Sequence, residues 1–534
     1  MFEIEKSAWM LAIVSAILQV LIFPLPNLYV LSWVAVAPLL VAILHARRPG
    51  PLQLEGSIKL VPASALQGFL LGYLCGILWY AGNCYWVYNT MKQYGGIGTL
   101  GAAGLLLLFC LYLGLYHGVF GLITALVARR SVRAALLAAP FVWVALELAR
   151  TRISGFPWDL LGISQADNIP LVRLARATGV YGISLEIMIV NTAFAAAWLI
   201  RRSRRTSLLF AAFAAAFVLQ IARWMPVPAF PTDRSAVLVQ ENVPVLENAD
   251  WTRQYFEQTL TDLTNVSRSQ STTPAPGLIL WPESPAPFYS GDPEFRRGIT
   301  QLATESHAWV VAGNVGAESN GSPSQDATTI FNSASLVSPS GEWVARYDKM
   351  HLVPFGEYVP FKELLGFAGG LTKEVGDFTA GTTRLPLPAG DEKLGIFICY
   401  ESIFPDEIRQ FAKSGAQVLV NISNDGWYGD SGAYAQHLKQ ARMRAIENDR
   451  WLLRDTNTGV TAAIDPYGRI TQTVPRKVRT SLVANYGLVN DTTFYTRHGD
   501  WLAYACAIIS VVALAIAFTP PEKADVANDG RSRT

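Results

Sequence analysis

The chain has 534 residues, of which 51% are hydrophobic and 16% are charged, and its mean hydropathy is +0.26. A soluble protein of this size would carry about a quarter charged residues, so the composition excludes a chain that is soluble throughout. The formal net charge of +2 gives no indication of a nucleic-acid partner. The length leaves room for more than one domain.

Long apolar runs fill most of residues 1–225 and return just before the C-terminus. We predict eight helices, near residues 8–24, 28–46, 65–88, 98–128, 132–149, 180–200, 206–223 and 501–518. About 20 apolar residues cross a bilayer core; most of these runs fit that length, although the fifth and seventh are short. The sequence therefore predicts a polytopic α-helical membrane domain of seven helices at 1–225 and a C-terminal transmembrane helix at 500–519.

The basic residues between the helices predict the orientation of this domain. Three alternate loops hold most of them: Arg47, Arg48 and Lys59, then Arg129, Arg130 and Arg133, then Arg201, Arg202, Arg204 and Arg205. The positive-inside rule places these loops in the cytoplasm and the chain between the seventh and eighth helices on the outer face. In a bacterium this describes a multi-pass inner-membrane protein with both termini in the cytoplasm, residues 520–534 forming a cytoplasmic tail.

Two polar features interrupt the apolar region. Residues 150–178 are too polar to span a membrane and long enough to form an amphipathic arm on the outer surface. Glu186 lies inside the sixth apolar run, where an acidic side chain is a candidate for function. It also lies about one turn from the interface, so simple solvation of the carboxylate is an equally good interpretation.

Residues 232–486 show the pattern of a folded α/β domain outside the membrane. Apolar runs such as SAVLVQ, LILWPE and KLGIFICYES predict buried strands. Residues 251–269 and 295–306 have the spacing of amphipathic helices, and further helices are predicted near 405–414 and 433–449. This mixture of strands, hairpins and helices is typical of a layered α/β domain.

Common motifs of nucleotide and metal sites are either missing from the sequence or stand in the wrong structural context. The segment GGIGTLG contains a formal G-x-G-x-x-G at Gly96, Gly98 and Gly101, but no strand precedes it and it opens a membrane helix. The sequence contains no Walker loop and no close Cys/His cluster of the zinc type. We therefore expect neither a cofactor nor a metal.

One cysteine stands apart from the other four. Cys75, Cys84, Cys110 and Cys506 lie in apolar stretches, where cysteine behaves as a small hydrophobic residue. Cys399 is the only cysteine in the polar part of the chain, so that part cannot form an internal disulfide. It stands where an apolar strand is predicted to turn into a helix, and a helix N-terminus there would stabilise a thiolate.

Charged residues follow other predicted strands of the same domain. Glu283 ends the strand in LILWPES, Lys349 ends a second strand, and Glu357 follows on a proline-bounded loop. Side chains at the ends of several strands in one layer can converge on a single pocket. Taken separately, each is more often an ordinary core cysteine or a solvated charge.

Together these residues fit acyl transfer. A thiol needs a base or a neighbouring cation in order to attack as a thiolate. Glu283 can accept the proton, and Lys349 can balance the thiolate and stabilise the oxyanion of a tetrahedral intermediate. A thioester on Cys399 would then store the acyl group until a second nucleophile arrives, which is ping-pong chemistry.

The motifs around these residues narrow the possibilities. WPES around Glu283, YDKMHL around Lys349 and ICYE around Cys399 resemble the Glu–Lys–Cys triad of the nitrilase, or carbon–nitrogen hydrolase, superfamily. The segments NISNDGWYG and RAIENDRWLLRDTNTGV, the FPW at 156–158 and the flanking membrane helices are similar to those of bacterial apolipoprotein N-acyltransferases. The resemblance to this membrane-anchored family covers residues 8–518. It is strong in residues 235–485, and in the residues before these it is mostly a resemblance of topology.

The resemblance implies a fold and a reaction. The fold is a nitrilase-like α-β-β-α sandwich, periplasmic, on an eight-helix membrane platform. The reaction moves an acyl chain from a membrane phospholipid, typically from the sn-1 position of phosphatidylethanolamine, to Cys399. The thioester then passes the chain to the N-terminal amine of a diacylglyceryl-cysteine apolipoprotein, which gives a triacylated lipoprotein. A monomer is expected, without nucleic acid.

The resemblance also implies residue roles. Glu283 corresponds to the general base, Lys349 to the oxyanion stabiliser and Glu357 to a supporting glutamate. The remaining matches are the neighbours of the nucleophile, Tyr400 and Glu401, and two tryptophans linked to substrate binding, Trp251 and Trp158. In one departure, Glu241 stands where the family commonly has glycine, which puts the local backbone geometry or lipid access in doubt.

Three alternatives remain open on the sequence. The same triad would serve a membrane-tethered amidase or nitrilase that acts on a small soluble amide, but the upstream helices would then have no role. A Cys–His hydrolase would use His351 or His437 in place of Lys349. A non-enzymatic transporter or lipoprotein-binding module is disfavoured by the intact triad and by Glu186 being the only obvious intramembrane ionisable residue.

Overall fold

A computed structural model describes residues 4–47, 61–199, 202–221, 224–245, 251–268, 275–283, 286–319, 328–354, 356–358 and 378–519. The predicted tail at 520–534 lies outside the described residues, as do the basic residues Arg48, Lys59 and Arg201. The described chain forms a helical region of largely apolar sequence and an α/β region that packs against one end of it.

The helical region contains the following described α-helices: α1 Lys6–Leu21, α2 Ala37–Leu44, α3 Ala65–Asn83, α4 Trp86–Gln93, α5 Thr99–Ala128, α6 Val132–Ile153, α7 Ile169–Val172, α8 Ala175–Thr178, α9 Val180–Leu199 and α10 Arg202–Ile221. It is completed near the C-terminus by α16, Trp501–Phe518. Six helices of the described chain are long and apolar enough to cross a membrane: α3, α5, α6, α9, α10 and α16. Polytopic membrane character is therefore confirmed, with the number of helices close to the predicted eight.

The departures from the eight predicted helices include the one predicted at 65–88, which ends as α3 at Asn83 and is followed by the separate α4 from Trp86. The others lie at the start of the chain. The helix predicted at 8–24 is α1, of 16 residues. The one predicted at 28–46 divides into a 3₁₀ helix, Tyr29–Trp33, and the eight-residue α2. The fifth and seventh helices, whose apolar runs are short, extend to 22 residues in α6 and 20 residues in α10. Sequence hydropathy places these segments but misses the break within the second.

A single buried side chain accounts for that break. Asn191 on α9 accepts hydrogen bonds at Oδ1 from the backbone N–H groups of Val36 (2.7 Å) and Ala37 (2.9 Å), at the first turn of α2. Its Nδ2 donates to the backbone oxygen of Ser32 at 2.7 Å. Irregular backbone at membrane depth is tolerated only where other protein groups satisfy it. Asn191 therefore makes the interruption between the two short helices possible.

Close packing of α3 against α5 depends on glycine. A Cβ atom at Gly72 would lie 2.1 Å from the backbone oxygen of His117, and one at Gly121 would lie 2.0 Å from that of Gly68. Neither position can hold a larger residue without separating the helices. Membrane helices associate through such small-residue contacts, because lipid supplies no hydrophobic force between them.

The α/β region contains twelve strands: β1 Arg234–Gln240, β2 Leu278–Leu280, β3 Trp309–Ser319, β4 Thr328–Val337, β5 Trp343–Asp348, β6 Leu387–Ala389, β7 Glu392–Ile398, β8 Val418–Ser423, β9 Leu452–Thr456, β10 Ala462–Ile464, β11 Ile470–Thr473 and β12 Thr480–Tyr486. Its helices are α11 Arg253–Arg268, α12 Pro293–Ser306, α13 Pro405–Lys413, α14 Ala433–Asn448 and α15 Phe494–His498. The helices predicted near 251–269, 295–306, 405–414 and 433–449 correspond to α11 to α14.

The strands form two six-stranded sheets with the orders β12-β1-β2-β3-β4-β5 and β11-β10-β9-β8-β7-β6. In β1, Ala236 and Leu238 belong to the core that also contains the strands of the second sheet, whereas Val237 and Val239 pack with residues of α11 and α12. Strands covered on both faces need continuous apolar runs, as in SAVLVQ. Helices α13 and α14 cover the second sheet, so the predicted α-β-β-α sandwich is confirmed.

The segment 150–178 differs from the predicted amphipathic arm. It contains the end of α6, a 3₁₀ helix at Leu161–Gln165 and the four-residue helices α7 and α8. Its middle is buried rather than spread on a surface, with Trp158 and Ala166 both 0% exposed. Glu147 Oε1 accepts from the backbone N–H of Leu161 at 2.7 Å and so ties the segment to α6. Its polar groups find hydrogen-bond partners inside the protein. The periodicity of the sequence alone cannot reveal such partners.

Candidate active site

Three strand ends bring the predicted catalytic side chains to one place. Glu283 follows β2, Lys349 follows β5, and Cys399 follows β7, so the first two come from one sheet and the cysteine from the other. All three are buried, at 5%, 1% and 6% exposure respectively. Because the two sheets pack face to face, these strand ends bring the three side chains within electrostatic range of one another between the layers.

Lys349 is the centre of a charged cluster. Its Nζ donates hydrogen bonds to Glu283 Oε1 at 3.0 Å and to Glu357 Oε1 at 2.9 Å. Burial by itself would lower the pKa of Lys349, but the two carboxylates outweigh burial and raise its pKa well above the usual value. The ammonium is therefore a fixed positive charge, held between two glutamates.

Asn332, on β4, is a member of this cluster that the sequence analysis missed. Its Nδ2 donates to Glu283 Oε1 at 2.9 Å and to Glu357 Oε1 at 2.6 Å. The amide thus bridges the two carboxylate oxygens that accept from Lys349. A polar residue inside the apolar strand segment IFNSASLV was the available signal, since a buried amide needs partners.

The other oxygens of the two glutamates are held by the backbone. Glu283 Oε2 accepts from the N–H of Asn424 at 2.8 Å, and Glu357 Oε2 accepts from the N–H of Val353 at 2.7 Å. Asn424 follows β8 of the second sheet, so this bond joins the two sheets at the site. The carboxylate of Glu283 is therefore fixed in position before any substrate arrives.

Cys399 has a strained backbone and an un-ionised side chain. Its φ of 48° lies in the left-handed region, which is uncommon for residues other than glycine and costs on the order of 1–3 kcal/mol. Burial raises the pKa of the Cys399 thiol far above its usual value; Glu283 raises it further, and Lys349 opposes both. The expectation of a thiolate stabilised by a helix N-terminus is wrong, because only a five-residue 3₁₀ helix, Cys399–Ile403, begins there. To act as a nucleophile, this thiol would need a base.

Glu401 connects the chain beside Cys399 to the chain around Lys349. Its Oε2 accepts from the N–H of Ile398 at 2.6 Å, and its Oε1 accepts from the hydroxyl of Tyr347 at 2.7 Å and from the N–H of Met350 at 2.8 Å. These bonds tie the end of β7 to the residues on both sides of Lys349. In this structure Glu401 therefore positions backbone around the pocket.

Tyr400 and Trp158 lie where the α/β region meets the helical region. The hydroxyl of Tyr400 donates to the backbone oxygen of Gly155 at 3.1 Å. Trp158 donates through Nε1 to Gln436 Oε1 at 2.8 Å and stacks on the ring of His437 with 5.9 Å between centroids. Both residues therefore link the nucleophile's surroundings to the segment that follows α6.

His437 contacts the backbone of Cys399 rather than its sulfur. Its Nε2 donates to the backbone oxygen of Cys399 at 3.0 Å and lies 2.7 Å from Ser402 Oγ. Its Nδ1 lies 3.0 Å from Asp425 Oδ1, and Asp425 Oδ2 accepts from Arg454 Nη2 at 2.8 Å. Burial would raise the pKa of Asp425, but Arg454 and His437 hold it below its usual range. This buried network holds the backbone of the strained Cys399; the sequence indicated His437 only as a possible base and gave no indication of Asp425 or Arg454.

His351 is also turned away from the nucleophile. Its ring stacks on Phe404 with 3.7 Å between centroids, and its backbone N–H is bonded to Glu401. Burial, with help from Arg384, lowers the pKa of His351 to about 4. Strand β5 ends at Asp348, so His351 does not share a strand face with Lys349. Neither histidine of the Cys–His alternative is placed as a base for Cys399.

Two other predicted residues lie away from the cluster. Trp251 is half-buried at the start of α11, against Tyr255, and packs on the outer core of the first sheet. Glu186 is half-buried on α9, and its Oε2 has no partner among the described residues. The structure brings neither side chain to the pocket around Cys399.

Glu241, the departure noted in the sequence, is fully buried at the end of β1. Its Oε1 lies 3.0 Å from Nε of Arg479, which also pairs with Asp262. Burial raises the pKa of Glu241 to about 7, Arg479 opposes the shift, and Asp262 adds to it.

Within the described chain, no group of three or more His, Cys, Asp or Glu residues could hold a metal ion.

Comparisons with known proteins cover nearly the whole chain. Residues 15–193 match the family model described as the apolipoprotein N-acyltransferase N-terminal domain, and residues 251–488 match the carbon–nitrogen hydrolase model. An apolipoprotein N-acyltransferase from Geobacter metallireducens is 34% identical over 524 residues, which is 96% of each chain. The chain belongs to the apolipoprotein N-acyltransferase family. The resemblance seen in the motifs is thereby confirmed, and the protein is a membrane acyltransferase.

The chain is also similar to a second relative and to a solved structure. The apolipoprotein N-acyltransferase of Methylococcus capsulatus is 35% identical over 463 residues, covering 85% of this chain and 88% of its own. Among solved structures, the C145A mutant of the Nesterenkonia AN1 amidase of the nitrilase superfamily aligns at 19% identity with a TM-score of 0.37, over 52% of this chain and 99% of its own.

Proposed function

We propose that this protein transfers a fatty acyl chain from a membrane phospholipid, through a thioester on Cys399, to the N-terminal amine of a diacylglyceryl-cysteine apolipoprotein. Family membership supports the lipoprotein acceptor and the phospholipid donor. The sn-1 chain of phosphatidylethanolamine is the proposed donor. The observation that carries the proposal is the buried cluster of Glu283, Lys349 and Glu357 beside a buried cysteine, in a domain seated on membrane helices.

In the first half-reaction Glu283 takes the proton of the Cys399 thiol while the sulfur attacks the ester carbonyl carbon. The C–O double bond becomes an oxyanion, which the ammonium of Lys349 stabilises. The intermediate collapses with cleavage of the ester C–O bond, and Glu283 returns its proton to the departing lysophospholipid oxygen. The acyl group remains on sulfur as a thioester.

In the second half-reaction the acceptor amine attacks the thioester carbonyl. Glu283 takes a proton from the amine nitrogen, Lys349 again stabilises the oxyanion, and the C–S bond breaks. The proton passes from Glu283 to the sulfur, which restores the thiol that burial favours at rest. The overall exchange of an ester for an amide is downhill, although the thioester between them is the most reactive of the three, so the scheme needs no nucleotide.

Glu357, Glu401 and Tyr400 support these steps without reacting. Glu357 keeps Lys349 protonated together with Glu283, so the ammonium survives burial when one carboxylate gains a proton. Glu401 fixes the backbone between the nucleophile and the lysine loop. We propose substrate-binding roles for Trp158 and Trp251, at the membrane-facing and outer sides of the domain respectively.

The ends of the helices support a single orientation in the membrane. The α/β region contacts Asn83 at the end of α3, Arg152 at the end of α6, Val180 at the start of α9 and, through Tyr495 of α15, Asp500 beside α16. The basic residues around 129–133 and 202–205 lie at the opposite ends of α5, α6, α9 and α10. The positive-inside rule then places the catalytic domain on the periplasmic face of the inner membrane, with both termini cytoplasmic.

We propose the domain bounds on the same grounds. Strand β1 pairs with β12 so that Arg234 faces Tyr486, which closes a catalytic unit at 232–486. The membrane domain is 1–225, the C-terminal transmembrane helix is 500–519, and 520–534 is the cytoplasmic tail. All three triad residues come from one chain, so a monomer is sufficient.

The proposal is tested with a phospholipid carrying a radiolabelled acyl chain and a synthetic diacylglyceryl-cysteine peptide as acceptor. The purified protein should move label to the peptide amine, and Glu283→Gln should abolish transfer while binding the lipid. The competing amidase predicts turnover of small soluble amides with water as the second nucleophile. Amide hydrolysis without lipid transfer would favour that competitor.

A further inference from the structure

A groove lies between α6 and α16 at the end of the membrane domain remote from the catalytic domain. It has a volume of about 290 Å³. Its walls come from the end of α5, from one face of α6 and from one face of α16: Val127, Arg130, Ala134, Leu137, Ala138, Phe141, Ile509, Ala513, Ile516 and Ala517. The positions in α6 and in α16 recur at intervals of three and four residues, so the groove runs along both helices for roughly 10 Å.

The groove faces the lipid side of the helices. Leu137 is 74% exposed, Ile516 is 49% exposed and Ile509 is 41% exposed. Alanines on both helices leave the space between these larger side chains. In a bilayer an apolar groove of this shape is filled by an acyl chain, because neither water nor an empty space is favourable there.

One end of the groove is strongly basic. Arg130 Nη1 donates to the backbone oxygen of Ile516 at 3.0 Å and to Thr519 Oγ1 at 2.9 Å, which places its guanidinium across the end of α16. Arg129 and Arg133 are exposed beside it. None of these three arginines pairs with an acidic side chain of the described residues. The N-terminus of α6, capped by Ser131, adds the positive end of a helix dipole at the same place.

We propose that this groove binds an anionic diacyl phospholipid, with one acyl chain between α6 and α16 and the phosphate at Arg129, Arg130 and Arg133. Basic sites at the cytoplasmic ends of membrane helices bind anionic headgroups in this way. Arg130 already joins α6 to the end of α16, so a bound lipid would bridge these two helices.

The groove is separate from the site of acyl transfer. Arg130 precedes the first residue of α6, whereas Gly155, which accepts the hydrogen bond of Tyr400, follows the last. The 22 residues of α6 separate the two ends by about 33 Å, the thickness of a bilayer core. A lipid in this groove belongs to the other leaflet and is not the acyl donor.

Native mass spectrometry of the detergent-solubilised protein tests the proposal. Phosphatidylglycerol and phosphatidylethanolamine with identical chains are titrated in competition. The wild type should retain phosphatidylglycerol at least about five-fold better, which corresponds to about 1 kcal/mol. Arg129→Gln and Arg130→Gln should each reduce this preference, and the exposed Arg204→Gln, at the start of α10, should not.

A second variant tests the groove without touching the arginines. Ala513→Phe should fill it and reduce retention of phosphatidylglycerol, while acyl transfer to a peptide acceptor continues at the wild-type rate. Equal retention of both lipids by the wild type would overturn the proposal, as would undiminished retention in Ala513→Phe. Displacement of the signal by inorganic phosphate alone would also contradict it, since a diacyl lipid is required.

Discussion

Two buried charged regions adjoin Cys399, and their contacts with it differ. The first contains Glu283, Lys349 and Glu357, and its Glu283 and Lys349 act electrostatically on the pKa of the thiol. The second contains His437, Asp425 and Arg454; His437 donates to the backbone oxygen of Cys399, and Asp425 raises the pKa of the thiol less than Glu283 does. Both are hydrogen-bonded networks of ionisable side chains, and burial alone does not distinguish them.

The difference teaches that charge near a nucleophile can serve chemistry or geometry. A group that acts on the sulfur can move a proton or stabilise an oxyanion. A group that holds the carbonyl oxygen can only fix the direction of the side chain, here against the strain of a φ of 48°. We therefore expect the first region to control the rate of the chemical step and the second to control the orientation of the Cys399 side chain.

Removing the ammonium of the first region should have the largest effect. Lys349→Ala removes the oxyanion stabiliser and leaves two buried glutamates without a counter-ion, so acyl transfer should fall by about 10³-fold. The matched control is His351→Ala, two residues away, whose ring lies against Phe404 and should leave the rate within about three-fold. Rates of acyl transfer to a diacylglyceryl peptide measure both. The reverse pattern would assign the chemistry to histidine.

Asn332 tests whether the first region depends on its geometry as well as its charge. Asn332→Ala removes the hydrogen bonds at 2.9 and 2.6 Å that hold Glu283 and Glu357 together. Loss of a hydrogen bond to a buried charge costs about 1.5–3 kcal/mol, so the rate should fall by about 10- to 100-fold. Single-turnover kinetics should show slower formation of the thioester with unchanged lipid binding. A wild-type rate would remove Asn332 from the site.

The second region should have a smaller effect with a different signature. His437→Ala frees the carbonyl of Cys399, so kcat should fall by about 10-fold while KM stays near the wild-type value. His437→Gln, which keeps a donor, should recover most of this loss. Equal loss of kcat in both variants, with an altered pH profile, would give His437 a part in proton transfer.

How much of this arrangement the sequence reveals depends on distance along the chain. Glu283, Lys349 and Cys399 could be predicted because each ends an apolar strand inside a local motif. Asn332 and the structural role of His437 could not, because no local motif marks them and their pairing is set by the packing of sheets and helices. Local sequence patterns indicate the chemistry that a residue can perform, and tertiary contacts determine which groups it binds.

The membrane domain shows the same limit. Apolar runs correctly placed most of the helices, but the break in the second depends on Asn191, which is 155 residues from Val36. The segment at 150–178 is polar enough to suggest a surface arm, yet it is buried beneath the catalytic domain, where Glu147 and Gln436 bind its polar groups. The polarity of a segment does not show whether its polar groups contact solvent or buried partners.

Glu241 offers the smallest test, on a charge outside both regions. Because its pKa in the folded protein is raised to about 7, the folded state keeps a proton that the unfolded chain loses at lower pH, so stability falls as the pH rises from about 4.5 to 7. Glu241→Gln should melt like the wild type at pH 5 and about 2–4 °C higher at pH 8. Thermal unfolding in detergent measures this. Identical differences at both pH values would mean that Glu241 is ionised throughout.

The most direct test of the account is mass spectrometry of the purified protein after mixing with phospholipid and no acceptor. An acyl adduct should appear on Cys399, be absent in Cys399→Ser, and disappear with hydroxylamine or with a diacylglyceryl peptide. Transfer of the acyl chain to that peptide without any adduct on Cys399 would contradict the thioester mechanism.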